Sequence, residues 1–123
     1  MRLIAFVAVA LVVTACGGSS DTIPTGTTPT GATPTTQTPT ATTSVSLVNV
    51  AFSPSSILVT TNAIVTFTNN DAITHNVTFD NTSIGGTGNF SSGAKTLTMP
   101  ATPGTYTFKC TIHAAMTGTV TVQ

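Results

Sequence analysis

Tyr106-Thr107-Phe108-Lys109-Cys110-Thr111-Ile112-His113-Ala114-Ala115-Met116 is a strand that runs into a loop rich in metal-donor side chains. Successive side chains on a strand point to opposite faces, so Tyr106, Phe108 and Cys110 share one face while Thr107 and Lys109 take the other. An apolar face opposite a polar one marks a strand lying on a core. The loop then presents a thiol, an imidazole and a thioether at regular spacing, Cys110, His113 and Met116. Alternation resumes over 118–122, with Val120 and Val122 facing inward. A strand, a short loop and a second strand therefore bring these three side chains to one end of a sheet.

Upstream, His75-Asn76-Val77-Thr78-Phe79 repeats the pattern. His75 shares its face with Val77 and Phe79, and Asn76, Thr78 and Asp80 alternate with them. Further β-rich segments cover 45–52, 57–60, 63–68 and 96–99. Turn-forming residues separate them: Ser53-Pro54, Asn69-Asn70-Asp71, Gly85-Gly86 and the segment 100–104. No segment carries a helical period. Short strands at this density, packed into about eighty residues, predict an all-β fold, a small antiparallel β-sandwich over 45–123.

The chain before this domain has a different character. Arg2 precedes an apolar run over 3–13, which suits a signal peptide over 1–15 and is too short for a membrane-spanning helix. The run ends in Val13-Thr14-Ala15-Cys16, which resembles the lipobox of bacterial-type lipoproteins. That resemblance implies cleavage before Cys16, lipidation of its thiol, and an extracytoplasmic protein held at a membrane, in the periplasm or at the cell surface. Residues 17–44 are almost wholly Gly, Ser, Thr and Pro, with Pro24, Pro29, Pro34 and Pro39 evenly spaced. The five-residue repeat that begins at Pro24 has no large apolar side chains with which to offset its ordering entropy, so the segment reads as a disordered linker. Its prolines favour extension, and at about 3.1 Å per residue it reaches on the order of 80 Å.

Charge is sparse. After the signal segment only Lys95 and Lys109 oppose Asp21, Asp71 and Asp80. No basic stripe exists to neutralise phosphates, which excludes nucleic acid as a partner. Long-range steering toward a charged partner is equally weak.

The histidines and cysteines are few enough to be decisive. His75 and His113 are the only histidines, and Cys110 is the only cysteine besides Cys16. With Cys16 lipidated, Cys110 has no disulfide partner in the chain, and a bound metal would protect its thiol. Taken singly, each residue has an ordinary structural explanation: Cys110 and Met116 as core residues, His75 as a strand-end polar group. Together, two imidazoles, a thiolate and a weak thioether are the donor set of a mononuclear electron-transfer copper site. Thiolate and thioether suit Cu(I), and imidazole suits both oxidation states. Zinc is the rival ion, but it favours four strong ligands, and a thioether is not one.

With both stretches in this order, residues 45–123 resemble the cupredoxins, the blue copper proteins. The motifs that carry the resemblance are Cys110-x-x-His113-x-x-Met116, as in amicyanin-like members, Asn69-Asn70-Asp71 leading to His75-Asn76-Val77-Thr78-Phe79, and the run from Pro103 to Cys110. The resemblance implies a Greek-key sandwich holding one copper ion, with His75, Cys110 and His113 as equatorial ligands and Met116 as the axial one. It also implies hydrogen bonds between Asn76 and Thr111 that tie the two ligand segments together. The chain departs from amicyanin-like members at Ile112 and Ala114, which stand where prolines flank the second histidine. The segment 81–94 reads as a shortened, Gly-rich connection.

These readings converge on a membrane-tethered carrier of single electrons between a donor and an acceptor redox protein, with no substrate transformed. His113, on the loop, is the expected point of electron entry. Ile112, Ala114 and Ala115 would form a small apolar docking patch around it. Exchange with two partners in turn suits a monomer. Two other functions fit parts of the pattern: copper storage or delivery, and a stalked adhesive domain without a metal.

Overall fold

Apolar and polar side chains alternate along most of the folded chain, and two β-sheets follow from that pattern. The computed structural model describes residues 37–123; the signal reading, Cys16 and the linker as far as residue 36 lie outside the described residues. Every regular element described is a strand: β1 (Thr40–Ala41), β2 (Ser44–Val48), β3 (Ala51–Ser53), β4 (Ser56–Val59), β5 (Ile64–Asn69), β6 (Thr78–Phe79), β7 (Gly93–Thr98), β8 (Gly104–Lys109) and β9 (Thr117–Val122). One sheet has the order β1-β4-β9-β8-β6 and the other β3-β2-β5-β7.

The sheets face each other across a core built from their inward positions. Val45, Leu47, Val65 and Phe67 come from one sheet, and Ile57, Val59, Phe108, Val120 and Val122 from the other; all are buried. Phe108 sits at the middle. Its ring centroid lies 4.8 Å from that of Phe52, 5.5 Å from Phe67 and 5.2 Å from Phe79. The first two contacts are edge-to-face, an arrangement that aligns the positive rim of one ring with the negative face of another. Phe108 is two residues from Cys110 on the same face, so this aromatic cluster anchors the strand that delivers the thiol.

Four features depart from the sequence expectations. The segment 45–52 is two strands, because Asn49 and Val50 both adopt left-handed conformations, with φ of 54° and 57°, and reverse the chain. The resulting hairpin pairs Leu47 with Phe52, and both side chains remain buried. Second, the pairing is mixed rather than antiparallel throughout: β1 with β4, β2 with β5, and β4 with β9 run parallel. Alternation dictates which face a residue takes but is silent on the direction of the neighbouring strand. Third, β1 lies within the stretch read as linker; pairing of Thr40 with Ile57 and Ala41 with Leu58 needs only backbone groups, so no apolar signature announces it. Fourth, only Thr78 and Phe79 of the segment 75–79 pair with β8.

Gly118 shows how tightly β9 lies on the ring of Phe108. A Cβ at this position would fall 2.7 Å from Phe108 Cε2 and 2.8 Å from the carbonyl oxygen of Ser55. One obstacle is a packed ring and the other is backbone, so neither can move freely. Gly118→Ala should therefore destabilise the metal-free protein by about 1–3 kcal/mol, the usual cost of overpacking a core. Chemical denaturation is the check, and an unchanged midpoint would contradict this account of the packing.

Candidate metal centre

The loop 110–116 is closed by its own backbone. The amide of Cys110 donates to the carbonyl of Met116 at 2.9 Å, extending the β8–β9 ladder one step beyond the Lys109–Thr117 pair. The amide of Met116 donates to the carbonyl of His113, also at 2.9 Å. Cys110 and Met116 are thus held side by side at the two strand ends, both buried, with His113 on the turn between them.

His75 is positioned from the other side. Its backbone exchanges two hydrogen bonds with Phe90, the amide donating at 3.0 Å and the carbonyl accepting at 2.9 Å. The 81–94 segment is therefore a working partner of His75 rather than a simple connection. Close approach requires Gly86 here, since a Cβ would lie 2.7 Å from the carbonyl oxygen of Val77. Asn69, buried at the end of β5, donates from Nδ2 to the carbonyls of Ile73 and Phe90 at 2.9 and 3.0 Å, which shapes the loop leading to His75.

The two segments meet at their donor atoms. His75 Nδ1 lies 3.1 Å from His113 Nδ1, and Cys110 Sγ lies 3.6 Å from the same nitrogen. The nearest donor atoms of His75, Cys110 and His113 all fall within 4.8 Å of one another. His75 is fully buried, whereas His113 is half-buried and reaches the surface. Ile112, Ala114 and Ala115 are exposed around it. Met116 is 1 % exposed at the same end of the loop.

The carboxamide of Asn76 joins the segments a second time. Its Oδ1 accepts from the amide of Thr111 at 2.9 Å, and its Nδ2 donates to Thr111 Oγ1 at 2.8 Å and to Asn89 Oδ1 at 2.9 Å. The residues after His75 and after Cys110 are thereby locked together, which limits how far the donor atoms can separate.

Burial pushes the Cys110 thiol up, but backbone amides of Asn76, Ile112 and His113 stabilise the thiolate, and its pKa comes down to about 6. A thiolate is the form that binds metal, so little proton loss from sulfur is needed at neutral pH.

Sequence reasoning missed Asp71. Its Oδ2 lies 2.9 Å from Nε2 of His75. Asn69-Asn70-Asp71 reads as turn-forming residues, and the one available signal was a carboxylate four residues before the histidine.

A cupredoxin-like domain model matches residues 3–122. The chain belongs to the cupredoxin-like family. Among solved structures, this cupredoxin is similar to a reduced amicyanin carrying a tryptophan-to-tyrosine substitution, at 25% identity and a TM-score of 0.59, over 65% of this chain and 80% of that one. It is similar as well to an oxidised amicyanin with a proline-to-glycine substitution, at 28% identity and a TM-score of 0.59, and to the Cu(I) form of a methionine-to-alanine amicyanin, at 28% and 0.54, with the same coverage. No curated protein matches the chain.

The donor set of this cupredoxin fits copper. Donor atoms about 2.0–2.3 Å from a shared trigonal ion lie roughly 3.5–3.7 Å apart, close to the separations of 3.1 and 3.6 Å found here. Two imidazole nitrogens and one thiolate suit both oxidation states of copper. Among the described residues Cys110 is free of any disulfide, which leaves its sulfur available.

The depressed thiol pKa has a measurable sign. Ionised Cys110 favours the metal-free fold fully above the ordinary thiol value of 9.0, and that support is lost as pH falls through about 6. Ultraviolet absorbance of the thiolate in the metal-free protein should titrate with a midpoint near 6 and vanish in Cys110→Ser. A midpoint near the ordinary value would remove the assigned stabilisation.

Proposed function

We propose that this cupredoxin is a blue copper electron carrier, anchored to a membrane through lipidated Cys16 and passing single electrons between a donor and an acceptor redox protein. The observation that carries the reading is the convergence of His75, Cys110 and His113 on one point with His113 alone reaching the surface. Copper bound there supplies a one-electron couple, Cu(I)/Cu(II). Cys110, His75 and His113 are proposed as its equatorial ligands and Met116 as the weak axial one.

The surrounding residues suit that task. Strand ends and the Asn76–Thr111 bonds hold the donors in place, so little reorganisation accompanies a change of charge. The half-buried ring of His113 offers a short path to a docked partner. Ile112, Ala114 and Ala115 give that contact an uncharged surface, which favours brief encounters over tight complexes. No substrate is transformed, and a monomer leaves the His113 face open to each partner in turn.

Adding Cu(II) to the metal-free protein should produce intense visible absorption with a one-to-one endpoint, and Cys110→Ser should abolish it. A pale product alone would mean that the thiolate is not a ligand. Fast electron self-exchange with slow metal release would exclude storage or delivery of copper.

Met116→Leu should raise the reduction potential, because losing the axial donor disfavours Cu(II), and Met116→Gln should lower it. Voltammetry that moves for neither variant removes Met116 from the ligand set. Electron transfer to the native partner should vary little with ionic strength, since the face around His113 carries no charge. A steep salt dependence would count against docking there.

A further inference from the structure

Asp71 makes three contacts, and they face in two directions. Oδ1 accepts from the amide of Asn49 at 2.7 Å, and Oδ2 accepts from the amide of Val50 at 2.9 Å. Oδ2 also lies 2.9 Å from Nε2 of His75. One carboxylate therefore connects the β2–β3 turn to a candidate ligand. The amide of Asp71 donates to Asn69 Oδ1 at 2.9 Å, and the amide of Asn70 donates to the carbonyl of Leu47 at 2.9 Å, so the aspartate itself is fixed from both sides.

The turn is an improbable one for its sequence. Two left-handed residues in succession suit Asn-Gly, yet the second is Val50, a β-branched residue at φ 57°. Such a conformation persists where its surroundings over-determine it. Here the amides of both residues converge on one carboxylate that is itself largely buried, 14 % exposed.

The consequence for His75 follows from donor and acceptor chemistry. An ionised carboxylate only accepts, so Nε2 carries the ring proton and Nδ1 presents a lone pair. That lone pair is the one directed toward His113 and Cys110. We propose that Asp71 is a positioning residue of the metal centre: braced by the Asn49–Val50 turn, it fixes the tautomer and orientation of His75 and places a negative charge behind the ring. Carboxylate partners of this kind raise the basicity of a ligating imidazole. The added charge favours Cu(II) over Cu(I) and lowers the potential. The potential argument rests on the copper reading above; the tautomer argument does not.

The test therefore begins without metal. Nitrogen-15 NMR of the metal-free full chain should show His75 protonated at Nε2, and Asp71→Ala should lose that preference. Protonation of His75 at Nδ1 in the unaltered protein would overturn the proposal, whether or not copper binds. With copper loaded, Asp71→Asn should raise the potential and weaken Cu(II) binding by roughly 10- to 100-fold, and Asp71→Glu should restore part of both. Val50→Gly supplies the control, since glycine adopts the turn without strain and keeps it formed when the clasp is cut. In that background Asp71→Asn should still raise the potential. A shift that disappears there would assign the effect to turn distortion and overturn the charge role, as would an unchanged potential in the single variant.

Discussion

The join between two distant segments governs the centre. The segment 75–79 pairs with β8 only at Thr78 and Phe79, and beyond that pairing Asn76 ties it to the loop 110–116 through its bonds to Thr111. A carboxamide suits this task because it both donates and accepts in one plane, so it can satisfy a backbone amide and a hydroxyl together. Asn76 is 4 % exposed, and water competes little for those bonds. Without the join, His75 is still held by its backbone pairing with Phe90 and by Asp71, but its segment is no longer tied to the residue after Cys110.

The sandwich matters chiefly as a frame for that join. Phe108 packs against three other rings and fixes the strand that ends at Cys110. Gly118 lets the returning strand lie directly on the same ring. The stiffness of the donor set thus derives from a core that extends well away from it, and interiors packed at crystal-like density transmit small displacements rather than absorb them.

Much of this was legible in the chain because side-chain alternation reports on faces. Phe108 and Cys110 share an inward face, as do His75, Val77 and Phe79, and the burial of all five agrees with their period. The ligand-bearing loop was legible because its donors are rare residue types in a chain with few histidines and cysteines. What stayed hidden depends on the backbone and on distance. β1 pairs through peptide groups whose side chains are exposed. The turn at Asn49 and Val50 escapes notice because valine argues against it, and the carboxylate that stabilises it lies about twenty residues away. Phe90 looks like an isolated aromatic in a polar connection until its backbone meets His75. Pairing direction escaped for a related reason: parallel and antiparallel neighbours place the same residues inward.

One hairpin loop, seven residues between paired strand ends, supplies three of the four proposed donors, and the rest of the fold supplies only His75. This division makes the centre modular. The β8–β9 ladder closes on the backbone of Cys110 and Met116, so Ile112, Ala114 and Ala115, which neither carry a donor nor bond Asn76, can be exchanged without shifting any strand register. A lineage could therefore retune the surface seen by a partner, or the stiffness around His113, by altering Ile112, Ala114 and Ala115 alone. The sandwich would experience such a change as nothing more than a different surface loop.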